Sequence, residues 1–291
     1  MSAVLQENSN LPQIESRFDY EPEVRDIHFA TTTEFVPFEN KIMLVKPDET
    51  PIGVVGLSHH TENFKVFYDK VCNSLQESEL DTTGAKVSFT GGNNNAVMQV
   101  SIILPNHNFN KILNERAFTK ITLLDSHDAS MTRSIQTEIV RMWCLNGCVA
   151  PNQAETIFRS QRHTINADST TLADHIYTHL EFAETHAINM AQYKKIPMFK
   201  DEAFQIFKGN LLSAKSVDDN KGRKLEKIDA LYNKYEHDGP TVYRAYNVLT
   251  DYATHVDTTR KHANPVARIE RARSEVVKVL NSNAWKEATT V

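Results

Sequence analysis

The sequence predicts an α+β protein, with a β-rich N-terminal half around one packed helix and a helical C-terminal half. Three observations carry this. Residues 85–89 and 96–104 are two β-prone runs on either side of Gly91-Gly92-Asn93-Asn94-Asn95, the pattern of a β-hairpin. Phe64, Phe67, Tyr68, Val71 and Leu75 recur at the spacing of one helix face. From Thr171 onward the apolar period is helical. Strands gathered in one half and helices in the other point to an α+β arrangement.

The elements follow in order. Residues 1–24 are polar with few apolar anchors, and the expectation is a mobile arm. Between Ile27 and Val45, the groups Phe35-Val36-Pro37-Phe38 and Ile42-Met43-Leu44-Val45 read as strands. Pro37 has no N–H to donate, which argues against a central position there. Lys46-Pro47-Asp48-Glu49-Thr50-Pro51 is a turn, and Ile52 to Leu57 a short strand. Thr61 offers an N-cap for the helix through Phe64. Ile121 to Leu124 is a further strand, while the stretch through Ile135, Ile139, Val140, Met142 and Trp143 suits a strand or a short helix.

In the second half, Leu172, Ile176, Leu180, Ala183 and Ala187 form one helical stripe. Further helices are expected over Asp201 to Leu212 and Arg223 to Tyr235. Gly239-Pro240 then breaks the chain, Thr241 opens a helix with Tyr243, Tyr246, Leu249 and Tyr252, and a last helix runs from Pro265 to Trp285. The expected organisation is an arm (1–24), an α/β core (25–165) and a helical region (166–291) packed on the core as one domain.

With 40% apolar and 24% charged residues, the chain is expected to bury a core instead of remaining disordered. No stretch approaches the about 18 consecutive apolar residues of a membrane span. The start of the chain has neither a basic segment nor an apolar run, so no secretory signal is expected. Three cysteines, Cys72, Cys144 and Cys148, suit buried free thiols in a reducing compartment. The net charge of −5 is unevenly spread. Residues 1–81 hold 15 Asp/Glu and 6 Lys/Arg, a balance of −9, which leaves +4 for residues 82–291. A basic C-terminal part can meet phosphate, whereas the acidic part disfavours it.

Gly-rich phosphate loops, a dinucleotide fingerprint, Gly-x-Ser-x-Gly and His-Glu-x-x-His do not occur in the sequence, so no cofactor and no metal are expected. Ser126-His127-Asp128 holds the residue types of a hydrolase triad. Triad members converge from separate elements, however, and neighbours on an extended chain face opposite ways. The expected role is a turn in which Ser126 or Asp128 bonds backbone amides. An enzyme reading would instead draw His127, Asp128, Arg141 and His163 into one cleft. His175, His179 and His186 lie on one expected helix without a defined third ligand nearby, short of a metal site.

Arg244, Arg260, Lys261, Arg268 and Arg271 cluster near Tyr243 and Tyr246. Cations beside aromatics suit unpaired bases and their phosphates. Tyrosines at helical spacing equally suit a helical core.

Five segments carry a resemblance. They are Gly53-Val54-Val55-Gly56-Leu57 with Glu62-Asn63-Phe64; the hairpin reaching Ile103-Leu104-Pro105; Leu124-Asp125-Ser126-His127-Asp128-Ala129-Ser130 followed by residues 139–148; Arg162-His163; and residues 241–250 with Thr254-His255. In this order they resemble a family of phages, prophages and plasmids known as domain of unknown function 932, in which Gly is commoner where this chain has Ala129. The resemblance implies a mobile-element setting and a host cytoplasm, and supplies no reaction. The order strand, helix, hairpin is also similar to single-strand annealing proteins, a likeness of fold alone. The leading expectation is a non-catalytic protein of recombination or replication that binds single-stranded DNA as a homo-oligomer, away from membranes. The alternatives are a hydrolase or nuclease using the Ser-His-Asp region, and a phage interaction or counter-defence protein acting through the acidic residues 1–81.

Overall fold

A computed structural model describes residues 11–30, 32–78, 80–141, 147–148, 158–161, 163, 176–211, 218–254 and 265–290. It has the α+β architecture expected, strand-rich with one long helix in the first half and helical in the second. The chain separates into two compact units, each assembled from three stretches. One comprises Met1–His107, Ile121–Gln136 and Arg159–Tyr177; the other comprises Asn108–Lys120, Thr137–Phe158 and Thr178–Val291.

In the first unit, β1 (Glu23–Ala30), β2 (Phe35–Val45) and β3 (Pro51–Gly56) form an antiparallel sheet in that order. Pro37 lies in the middle strand opposite His28 of β1, and β3 pairs with Lys41–Val45 and does not reach it, so at Pro37 the strand has a neighbour on one side only. Helix α1 (Phe64–Glu77) follows. Its N-cap is Asn63, whose side chain accepts from the Lys65 N–H at 2.8 Å, and not Thr61 as the sequence suggests.

A second sheet contains β4 (Lys86–Gly92), β5 (Val97–Asn108), β6 (Ala117–Ser126), β7 (Arg133–Arg141) and β8 (Gly147–Cys148) in that order, with β9 (Phe158–Gln161) pairing to β7. The stretch left open between strand and helix is therefore strand as far as Arg141, and Met142 and Trp143 lie outside the described residues. The β4–β5 turn holds Asn93, Asn94 and Asn95 at φ 48°, 55° and 64°. Asparagine tolerates this left-handed region better than other side chains with a Cβ. A Cβ on Gly91 would meet Asn95 Oδ1 at 2.3 Å and Phe18 Cζ at 3.2 Å, so a side chain there would displace the Asn95 amide.

The core of the first unit is aromatic. Phe18 is fully buried, with ring centroids 6.1 Å from Phe64 and 6.2 Å from Phe89. The Tyr68 hydroxyl donates to the Pro12 carbonyl at 2.8 Å, Arg17 to the Phe89 carbonyl at 3.1 Å, and Tyr20 to the Asn95 carbonyl at 2.8 Å. Residues 11–20 thus differ from the mobile arm expected over 1–24, because one aromatic anchor and three long-range hydrogen bonds dock them. Residues 1–10 lie outside the described residues.

The second unit contains α2 (Asn110–Leu113), α3 (Ile176–Tyr193), α4 (Lys200–Leu211), α5 (Asp218–Lys234), α6 (Val242–Thr254), α7 (Pro265–Leu280) and α8 (Asn283–Thr289). The α3 stripe of Ile176, Leu180, Ala183 and Ala187 is buried, and Leu172 lies outside the described residues. Thr241 caps α6, its hydroxyl accepting from the Arg244 N–H at 3.2 Å. The single last helix expected to reach Trp285 is two helices. Ser282 starts α8 by accepting from the Trp285 N–H at 3.2 Å. Among the described residues, no helix is long and apolar enough to cross a membrane.

The docking of residues 11–20 has a measurable consequence. Phe18→Ala should lower unfolding stability by about 3–5 kcal/mol, as for other buried aromatics. Urea denaturation with a tryptophan or far-UV signal reads this, and a loss below about 1 kcal/mol would mean that the segment is not part of the core.

Candidate functional site

Strand β6 ends at Ser126 and β7 begins at Arg133, and the connection between them is built by its own polar side chains. The Ser126 hydroxyl donates to the Met131 carbonyl at 2.8 Å and accepts from the Met131 N–H at 3.1 Å. The Asp128 carboxylate accepts from the Ser130 N–H at 2.9 Å and from the Asn93 amide at 2.7 Å. Ala129 sits at φ 58°, a conformation that costs a non-glycine residue about 1–2 kcal/mol. The Cβ position of Gly53 lies 3.0 Å from Asp128 Cβ, so a larger residue there would push this turn away.

His127 is buried, with its ring stacked on Phe64 at 3.8 Å and meeting the Tyr20 ring edge-on at 5.2 Å. Its backbone N–H donates to the Ala96 carbonyl at 2.8 Å. The Ser126 hydroxyl thus bonds the backbone of its own turn, and His127 packs in an aromatic stack.

The charged centre of this region is one residue earlier. Asp125 is 1% exposed and Arg133 4% exposed. Two guanidinium nitrogens of Arg133 meet Asp125 Oδ2, Nε at 3.0 Å and Nη2 at 2.9 Å. The third, Nη1, donates to Glu62 Oε2 at 2.7 Å, and the guanidinium carbon lies 5.1 Å from the centre of the Phe67 ring. Burial pushes the Asp125 carboxyl up to about 6, against the opposing pull of Arg133.

His163 Nε2 stands 3.3 Å from Asp125 Oδ1, and the imidazole also bonds the Met131 carbonyl. Burial, helped by the Arg133 charge, brings this imidazole down to about 4. The His59 ring centre lies 5.3 Å from that of His163, and His59 Nε2 donates to the His127 carbonyl at 2.8 Å. Burial lowers His59 too, and places His127 well below the usual imidazole range. Ser126, His127, Asp128 and His163 are therefore brought together, with His59, Glu62, Asp125 and Arg133 added. Of these four additions, Glu62 and Asp125 stood inside the resemblance segments, while nothing in the spacing of His59 or Arg133 marked them. The Arg141 side chain lies outside the described residues.

The expected nucleic-acid residues are placed differently from one another. Tyr243 and Tyr246 are buried in the helical core. The Tyr243 hydroxyl donates to Glu115, and that of Tyr246 pairs with His186 Nε2 at 2.8 Å. Arg244 donates twice to the Tyr232 carbonyl, at 3.0 and 2.7 Å, and covers the Tyr232 ring at 4.0 Å. Arg268 is half-buried, and Arg260 and Lys261 lie outside the described residues. Arg271 is exposed on α7, on one stripe with Ser274 and Lys278 at i+3 and i+7. These three line a cavity of about 340 Å³ with Asn210, Leu211, Lys224 and Glu275. Lys224 Nζ pairs with Glu275 at 2.8 Å, and Arg271 Nε lies 3.8 Å from the same carboxylate. Long-range packing of three helices makes this groove, so Lys224 and Ser274 carried no signal in sequence.

Among the described residues, no group of three or more His, Cys, Asp and Glu is placed to hold a metal ion. Burial pushes the Cys72 thiol up to about 12. His175 and Cys144 lie outside the described residues, as do the side chains of His179 and Cys148.

The buried rings set a pH dependence. His127, His163 and His186 stay neutral in the fold and protonate readily once unfolded. Their stabilisation is complete above about pH 6.5 and falls as the pH drops towards 4. Asp125 acts in the opposite sense, losing stability as pH rises from about 4 to 6, but one carboxyl stands against three rings. Stability should therefore decrease on acidification below pH 6.5. His127→Phe, which keeps the stack on Phe64, should flatten that decrease by about 1.4 kcal/mol per pH unit. Urea midpoints between pH 4.5 and 7.5 test this, and parallel curves for both proteins would refute it.

Comparison with known proteins adds one finding. No curated protein and no solved structure matches the chain. A family described as domain of unknown function (DUF932) matches residues 104–276, more than half of the chain and inclusive of the Asp125–Arg133 turn and of the Arg271–Ser274 part of the groove. On that match, the chain belongs to the DUF932 family.

Proposed function

We propose that the protein binds the phosphate backbone of single-stranded nucleic acid through the groove of α4, α5 and α7. The observation that carries this reading is the exposed Arg271–Ser274–Lys278 stripe, with Lys224 beside it and Glu275 as the one carboxylate among the described residues that line the groove. An arginine fork, a lysine point charge and a hydroxyl between them are donors suited to phosphate oxygens. Residues 82–291, which contain the whole groove, carry a balance of +4. Tyr243 and Tyr246 are buried, so the contact is electrostatic and carries little base preference. Family membership fits a mobile-element setting, and a role in recombination or replication is the reading inferred for the groove.

Three cations neutralising about three phosphates give a log–log salt slope of about −2 for a single strand. Affinity for a labelled oligonucleotide should fall about 20-fold between 50 and 200 mM salt. The exposed double variant Arg271→Glu/Lys278→Glu should lose binding at both. Fluorescence anisotropy reads each, and binding that ignores salt or survives the double variant would sink the reading.

A second reading rests on a different observation, the 3.3 Å approach of Asp125 and His163 beside half-buried His59. A carboxyl near 6 and an imidazole near 4 can trade one proton, the requirement of general acid–base catalysis. On this reading the site hydrolyses an ester or phosphodiester, His59 taking a proton from water. Turnover of 4-nitrophenyl esters and phosphodiesters should then drop about 100-fold or more in His59→Gln. Turnover absent from the wild type, or equal in the variant, would remove this reading.

A further inference from the structure

A fixed cation stands at the inner end of the groove. Lys224 Nζ of α5 donates to Glu275 Oε2 at 2.8 Å, and the same oxygen accepts from the Tyr252 hydroxyl of α6 at 3.1 Å. Glu275 is thereby held from two helices and holds the ammonium in turn. An ammonium has three N–H donors, so this bond leaves two of them for a ligand. The Lys224 and Glu275 side chains are 29% and 22% exposed, so water screens them less than it screens charges on an open surface. Arg271 Nε stands 3.8 Å from Glu275 Oε1, which is too far for a hydrogen bond, and its side chain is 83% exposed. Its guanidinium fork therefore also remains available, as does Lys278 about two turns further along α7.

Charge and volume limit what this end of the groove can hold. Among the described residues that line it, three cations stand against one carboxylate, a balance of +2. An internal phosphate of a strand carries one negative charge and leaves half of that balance unmatched. A phosphate monoester carries about 1.5–2 negative charges at neutral pH and matches it. The cavity of about 340 Å³ lies at the small end of pockets that enclose a single ligand, roughly 300–1,000 Å³. It therefore has room for one unit of a strand and not for a run of them.

We propose that the inner end of this groove selects a terminal phosphate monoester, so that the protein engages a single strand by its phosphorylated end. The inference rests on the groove reading above and adds the chemical class that the groove prefers. Lys224 meets one phosphate oxygen with the donors that Glu275 leaves it, and the Arg271 fork meets two others. Lys278 meets the next phosphate along the strand. Glu275 is a positioning residue in this arrangement. It fixes Lys224 and trims the lining to the charge of a monoester, so that a singly charged phosphate is held less well.

Fluorescence anisotropy of the full chain tests this with an internally labelled single strand whose 5′ or 3′ end carries a hydroxyl, a methyl phosphate diester or a phosphate monoester. The diester has nearly the bulk of the monoester and a single charge. The monoester should bind about 10-fold tighter than the other two, the worth of one further charge-assisted contact, and the terminus that gives the gain is the one held. Lys224→Gln lowers the lining balance to one positive charge and should shrink the gain below about 2-fold, whereas Lys224→Arg should keep it. A monoester that binds no tighter than a hydroxyl end overturns the proposal. So does a methyl phosphate that gains as much, and so does a gain that survives Lys224→Gln. If all strands bind alike and Arg271→Glu/Lys278→Glu abolishes that binding, the groove reading stands and the end preference alone falls. If no strand binds, both fall.

Discussion

Arg133 is buried between two carboxylates, and the first unit is arranged around it. Its guanidinium reaches Asp125 at the end of β6, Glu62 ahead of α1, and the Phe67 ring within α1. Taking three charges out of water is expensive, and the cost is met when each finds a partner at short range. Breaking such a set leaves a bare buried charge, at a cost of about 3–5 kcal/mol. The strand end, the helix and the turn between them therefore hold one geometry. Everything distinctive about the region follows from that constraint. Ser126 closes the turn on Met131, His163 is brought to the Asp125 oxygen that also accepts from the Ser126 N–H, and His59 is fixed on the carbonyl of His127.

The second unit uses the same device for a different end. Glu138 on β7 is buried and pairs with Lys120 of β6 at 2.9 Å and with Arg273 of α7 at 2.7 Å. Arg273 also meets Glu270 one turn earlier, at 2.8 Å. An inward arginine at position 273 sets the rotation of α7, and that rotation turns Arg271, Ser274 and Lys278 outward to the groove. The buried pair thus specifies which cations face solvent. Apolar packing behind it, from Val276, Val279, Leu280 and Trp285, holds the helix in place.

The two units differ in what they leave exposed. In the first, Asp125 and Glu62 pair with Arg133, and Phe29, Phe35 and Phe38 are among the exposed apolar side chains. In the second, Tyr243 and Tyr246 are buried in the core, and the exposed Arg271 and Lys278 line a groove.

Local chemistry made much of this legible in the sequence. Three consecutive asparagines after two glycines could only be a turn, the α1 stripe could only face a core, and Gly239-Pro240 could only break a helix. The backbone bonds of Ser126 and Asp128 were legible too, since short polar side chains bond amides a few residues on. What the sequence by itself determined was therefore whatever depends on residues within a few positions of one another: the α+β plan, the hairpin and most helix faces. Tertiary structure decided the rest. Whether Tyr243 stacks on a base or packs in a core depends on Glu115 and Lys194, far away in the chain. Whether residues 11–20 are loose depends on Phe89 and Asn95, and the Asp125–Arg133–Glu62 set depends on three separate elements meeting. The physical reason is the same in each case. Burial, and the partner that makes burial of a charge tolerable, belong to the folded neighbourhood and not to the residue.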